Sequence, residues 1–172
     1  MILGRLEEMY YLVMEPVDGF NLRRLLKKGL MIPKKALAIV PAVCEALAYA
    51  HKQGAVHRAI KPENVLLDKQ GCVKIADFGI AKILEKGERS VDARSRDSAN
   101  PDGLTRGEQL GTPSYMAPEQ MEQPVLVDHR ADIYSLGIVF YEMLTGELPS
   151  VMFRPPSQKV AGMCALMKRS SE

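Results

Sequence analysis

The sequence predicts an α+β fold in which helices dominate, and three observations carry that reading. Apolar residues recur at three- and four-residue steps between Pro33 and Gln53, an almost unbroken apolar run fills 131–145, and short strand-like runs flank turn residues near 2–15 and 65–76. A chain of 172 residues is long enough for one domain with a sizeable core. With 47% apolar and 26% charged residues it has a globular composition, which excludes disorder throughout. Twenty-three basic against 21 acidic residues leave a net charge of +2, too balanced for nucleic-acid or membrane-surface binding driven by bulk charge.

Residues 2–6 and 10–15 form two apolar runs around the acidic pair Glu7-Glu8; YYLVMEP suits a buried strand that Pro16 ends. Val17-Asp18-Gly19 reads as a tight connection. A short helix is expected over 21–28, with Asn21 as its cap and Gly29 as its stop. From Pro33 to Gln53, Leu37, Val40, Cys44, Leu47, Ala48 and His51 define an amphipathic helix ended by Gly54, with an irregularity expected at Pro41. Val65–Asp68 and Val73–Ala76 around Lys69-Gln70-Gly71 read as a hairpin. Between Glu85 and Gln109 only four of 25 residues are apolar and eleven are charged, which reads as a mobile, solvated loop. The apolar helix at 131–145 stops at Gly146 and Pro149; beyond Ser150 lies a Pro/Ser-rich tail and then a mixed, methionine-bearing segment.

Cys44, Cys72 and Cys164 are widely spaced and match neither a zinc pattern nor a disulfide framework, which favours a reducing compartment. The best membrane-span candidate, Ala36 to Ala50, is broken by Pro41 and Glu45, and the opening MILGRLEEMYY is no signal peptide. The expected location is cytoplasmic.

Three motifs carry chemistry. HRAIKPENVLL (57–67) lies between a helix and a hairpin, ADFG (76–79) ends that hairpin, and GTPSYMAPEQ (111–120) follows the polar loop. In this order and context they resemble the catalytic half of the eukaryotic-type protein kinases over residues 1–156. Lys61 with Thr112 is the serine/threonine pattern, and YLVMEPVDG, ALAYAHKQG and LGTPSYMAPEQ are similar to bacterial members. The resemblance implies a protein-kinase-like fold: a two-strand remnant of the small lobe at 1–15, a mostly helical large lobe at 16–150 with the catalytic loop at 57–64 and the activation segment at 77–119, and a truncated tail at 151–172.

It also implies roles. Phosphoryl transfer asks the protein mainly for cations on the phosphates, metal ions, and an acceptor for the hydroxyl proton. Asp77 and Asn64 would each hold a magnesium ion, Lys61 would meet the γ-phosphate of ATP, Glu15 and Val17 would offer main-chain groups to adenine, and Met14 and Leu66 would line the base. His57 and Phe78 would pack internally, and Asp132 would accept main-chain hydrogen bonds from the catalytic loop. Arg58 would clasp a phosphate on the activation loop, with Thr105 the first candidate acceptor and Ser98, Ser95 and Ser90 behind it; Thr112 reads as a substrate-pocket residue.

The sequence departs from the pattern in three places. Position 59, where the family has its aspartate base, is Ala59, which cannot accept a proton; it reads as a natural pseudokinase-like lesion or an engineered one. No Gly-rich loop, Val-Ala-Ile-Lys strand or glutamate-bearing helix occurs in these residues, and the later large-lobe helices are not present, so truncation at both ends is expected, with Glu119 left without its usual arginine. The apolar helix 131–145 should then expose a patch open to association. The resulting expectation is a serine/threonine kinase chain that is inactive, binds ATP weakly, and is not rescued by Ala59→Asp alone. Its partner would be a protein substrate or a partner kinase, with no nucleic acid and no membrane segment. The alternatives are a pseudokinase-type binding or regulatory module, a non-functional gene fragment, or a kinase completed in trans.

Overall fold

The computed structural model describes residues 2–6, 9–29, 31–78, 113–150 and 154–160. Strands β1 (Ile2–Leu6) and β2 (Met9–Val13) pair antiparallel in their own two-stranded sheet, in the register Gly4↔Tyr11. A side chain at position 4 would meet the ring of half-exposed Tyr11, which would have to turn aside. Then come β3 (Gly19–Asn21), α1 (Leu22–Lys27), α2 (Pro33–Lys52), β4 (Val65–Asp68) and β5 (Val73–Ile75). After them lie α3 (Pro118–Glu122), α4 (Arg130–Thr145) and α5 (Pro156–Lys159), with 3-10 turns at Pro113–Tyr115 and Pro124–Leu126.

Val17-Asp18-Gly19 is not simply a connection. Gly19 opens β3, which pairs with β4 in the register Phe20↔Leu67, so β4 sits between β3 and β5. A Cβ at Gly19 would lie 1.9 Å from the Leu67 carbonyl oxygen, and only glycine permits that approach. The β4–β5 turn is held by Asp68, whose Oδ1 accepts from the amides of Gln70 and Cys72 at 2.9 and 2.8 Å.

Helix α1 starts where expected: Asn21 Oδ1 accepts from the Arg24 amide at 2.9 Å. Helix α2 has the expected length and buries Leu47 as expected, but the rest of its buried face differs. Ala36, Ile39, Val43, Leu47 and Ala50 point inward, whereas Cys44 and Ala48 are exposed and Leu37, Val40 and His51 are half-buried. The stripe is shifted by one residue because LAIVPAVCEALAYA is apolar on both sides, and contact with α4 and β5 selects between them. Leu22, Ile60, Val65, Tyr115, Leu136, Val139 and Met143 complete the main core with that face.

Helix α4 is the beam of this core. It buries Ala131, Asp132, Ser135, Leu136, Val139, Glu142 and Met143, and leaves Ile133 57% and Tyr134 43% exposed. The expected open apolar patch is therefore present. Gly146, at φ 76°, ends the helix with its amide on the Glu142 carbonyl at 2.8 Å.

Candidate active site

The loop from His57 to Asn64 is shaped by side chains outside it. Asp132, wholly buried at the start of α4, accepts from the His57 amide at 2.8 Å and the Arg58 amide at 2.6 Å, and from His51 Nε2 of α2 at 2.8 Å. Arg58 takes a left-handed backbone, φ 64°, a conformation that costs a non-glycine residue energy and persists where surroundings over-determine it. Here they do: besides the Asp132 bond, its carbonyl accepts from Gln120 Nε2 of α3 at 2.8 Å. Its guanidinium donates to the Pro124 carbonyl at 3.3 Å and the Val127 carbonyl at 3.0 Å.

His57 is a buried internal strut. Its Nε2 donates to the Ala76 carbonyl at 2.9 Å, its Nδ1 accepts from the Ala59 amide at 3.2 Å, and its ring lies 4.4 Å from that of Phe78. These two bonds define the neutral tautomer, and burial pushes its pKa below the ordinary imidazole value.

The candidate reacting groups sit on this frame. Asn64 is buried; its Nδ2 donates to the Ala59 carbonyl at 2.9 Å, and its own carbonyl accepts from the Ala76 amide at 2.9 Å, tying the loop to the residue before Asp77. Asp77 follows at φ 62°, exposed. Lys61 is half-buried, and its carbonyl accepts from the Asn64 amide at 3.0 Å. Ala59 and Lys61 are thus tied to Asn64, by its side chain and its amide respectively, and Asp77 follows the residue bonded to the Asn64 carbonyl. Ala59 and Lys61 border a small hollow with Tyr115, Met116 and Ser135. Among the described residues no group of three His, Cys, Asp or Glu side chains forms a metal cage. A carboxylate and an amide oxygen are nonetheless hard donors that fit magnesium, which keeps much of its own water.

The segment expected to meet adenine is placed beside the sheet. Glu15 is exposed and paired with Lys74 of β5 at 2.7 Å, an interaction that lowers its pKa. Lys74 lies opposite half-buried Leu66, and Val17 is half-buried. Glu119 is half-buried, makes no ion pair within 4 Å among the described residues, and its charge acts on Arg130 at the start of α4. Thr105, Ser98, Ser95, Ser90, Thr112 and the loop 85–109 lie outside the described residues.

One cluster escaped the sequence reading. Arg23 of α1 donates to Glu63 of the 57–64 loop at 2.8 Å, to Glu142 of α4 and to the Tyr115 hydroxyl, which in turn donates to Glu142. Burial works against the Arg23 charge, yet its three partners together raise the pKa; burial and then Glu142 raise that of Tyr115. Arg23 pairs across 40 and 119 positions of sequence, so no local pattern announces it.

The protein kinase domain family matches residues 4–168. This chain belongs to the protein kinase family. Among curated relatives, it is 39% identical over 142 residues to the serine/threonine-protein kinase PknB of Mycolicibacterium smegmatis, covering 82% of this chain and 21% of that protein. It is 36% identical over 170 residues to PknB of Mycobacterium tuberculosis, covering 90% and 25%. With serine/threonine-protein kinase PrkC of Bacillus subtilis it shares 39% identity over 148 residues, covering 86% and 20%. The kinase chain thus spans about a fifth to a quarter of the length of these relatives. Its fold class, a protein kinase domain with a small antiparallel sheet among helices, and its bacterial serine/threonine kinase kinship agree with the motifs. Among the described residues no helix is long and apolar enough to cross a membrane.

Proposed function

We propose that this chain supplies the magnesium-holding half of a serine/threonine kinase cleft, with the proton-accepting position silenced by Ala59. In this reading residues 1–15 belong to the small lobe, 16–150 to the large lobe and 151–172 to its tail. Asp77 and Asn64 Oδ1 hold magnesium ions; Lys61 meets the γ-phosphate of ATP; Glu15, Val17 and Leu66 receive adenine. When bound, magnesium and ATP supply charge neutralisation and the phosphoryl group. The protein's part is orientation: Asp132, His57 and Asn64 hold the loop at the shape the chemistry needs. The observation that carries the reading is that the whole frame around position 59 is in place while the residue itself offers only a methyl group.

General-base catalysis contributes typically about 10²–10⁴-fold. Joined to a nucleotide-binding small lobe, the Ala59→Asp variant should therefore phosphorylate protein serine or threonine roughly 10²–10⁴ times faster than the parent. Equal rates would remove position 59 from the mechanism. The 172-residue chain itself should transfer no label from ATP, with or without that change; sustained magnesium-dependent labelling by the pure chain overturns the inactivity. The expected setting is the cytoplasm, with a protein substrate or partner kinase and no nucleic acid. Thr105 or Ser98, if phosphorylated, would have to draw Arg58 from the carbonyls of Pro124 and Val127.

A second reading, a pseudokinase-type binding module, is favoured by one observation. An apolar groove of about 710 Å³ runs along the open face of α4. A stoichiometric complex lost on mutation of Ile133 would support that reading.

A further inference from the structure

The peptide unit joining Arg58 to Ala59 is gripped at both ends. Its oxygen accepts from Gln120 Nε2 of α3 at 2.8 Å, and its N–H donates to His57 Nδ1 at 3.2 Å. Arg58 stands at φ 64°, a left-handed setting that needs such restraint in a residue other than glycine. The next peptide is held separately, with the Ala59 oxygen on Asn64 Nδ2 at 2.9 Å. We propose that Gln120 is the positioning residue for position 59: its side-chain amide fixes the 58–59 plane, and with it the direction in which the side chain at 59 leaves the loop. What that direction serves rests on the phosphotransfer reading; the grip itself does not.

Glutamine is the informative choice at this position. Gln120 is the third residue of α3, and its Oε1 accepts at 3.1 Å from the amide of Ala117, the residue before that helix. A glutamate would serve that cap equally, and its charge would suit a helix start better. An ionised glutamate cannot donate to a carbonyl. The bond to Arg58 is thus the one that requires an amide. The bond from Ala117 settles which way that amide faces, because turning it over would set its NH2 against the Ala117 N–H. Ala117 is wholly buried and Gln120 half-buried, so the bridge stands on a fixed base.

Gln120→Glu in the intact 172-residue chain at neutral pH tests it, since the substitution keeps the acceptor for Ala117 and removes the donor. The Ala59 amide should be protected from hydrogen exchange in the wild-type chain and exchange about tenfold faster in the variant, while the Val139 amide in the core keeps its rate. The 15N signal of His57 Nδ1 should move towards that of a ring nitrogen with no donor. A residue that only caps α3 would move neither. An unprotected Ala59 amide in the wild type, or the same Ala59 exchange and His57 signal in both chains, overturns the proposal. A second arm uses the Ala59→Asp chain joined to a nucleotide-binding small lobe. There Gln120→Glu should lower kcat about tenfold or more and leave KM for ATP unchanged, as a misdirected group does; an unchanged kcat overturns the positioning role in the reaction. If that joined chain is inactive before Gln120 is changed, it is the phosphotransfer reading that fails, and the exchange measurement decides the role of Gln120.

Discussion

Asp132 is wholly buried and serves three donors, so its removal strands two main-chain amides of the 57–64 loop and the His51 ring. Asp132→Ala should cost on the order of 3–5 kcal/mol, measured by urea unfolding, because a buried unmet donor loses its full solvation. His57 sets a pH dependence. Its pKa in the fold lies below the ordinary 6.5, with burial the main cause, so the unfolded chain binds the proton that the native ring refuses. Stability should therefore be level above neutrality and fall as pH drops through 6.5 towards the lowered native value. His57→Gln, which keeps a side-chain donor, should flatten that slope in melts from pH 7 to 5. These residues were legible because their partners lie within motifs: His57, Ala59, Asn64 and Ala76 are separated by short loop spacings. The neutral tautomer was not, since it depends on which carbonyl and amide the folded loop presents.

At the level of elements, the sequence placed α1, α2, β4, β5 and α4 well, for each has local punctuation such as Asn21, Pro33, Gly54, Gly71 or Gly146. Strand β3 was missed because three residues carry no alternation, and its partner β4 lies far along the chain. The face of α2 was shifted for the opposite reason: too many apolar residues left the period ambiguous. Arg23 illustrates the remaining gap, a charge on a short helix whose partners, in the 57–64 loop and on α4, lie 40 and 119 positions away. Its side chain is 21% exposed and that of Glu142 10%, so Arg23→Ala leaves a largely buried carboxylate. We expect a loss of about 2–4 kcal/mol, somewhat below a fully buried pair because water still screens part of the cluster. Gly146→Ala should cost about 1 kcal/mol, since an alanine resists the left-handed cap; circular-dichroism melts would register both.

At the scale of the molecule, one core joins α1, α2, the β3–β5 sheet and α4, and Leu22 at its centre is wholly buried. Leu22→Ala should remove about 2–5 kcal/mol, and helix and tertiary signals should be lost together in a single transition. Separate transitions would show that the helices and sheet fold independently. The family was readable from three short motifs because phosphotransfer concentrates its requirements in loops, whereas the groove needed three helices in place before it existed. Among the described residues, the hydrogen bonds of Ala59 in the loop are those of its main chain, donating to His57 and accepting from Asn64. Neither of these bonds runs through the side chain that the position carries. On the proposed reading, exchange between a methyl and a carboxylate at that point would alter the chemistry while leaving both of these main-chain anchors free to form.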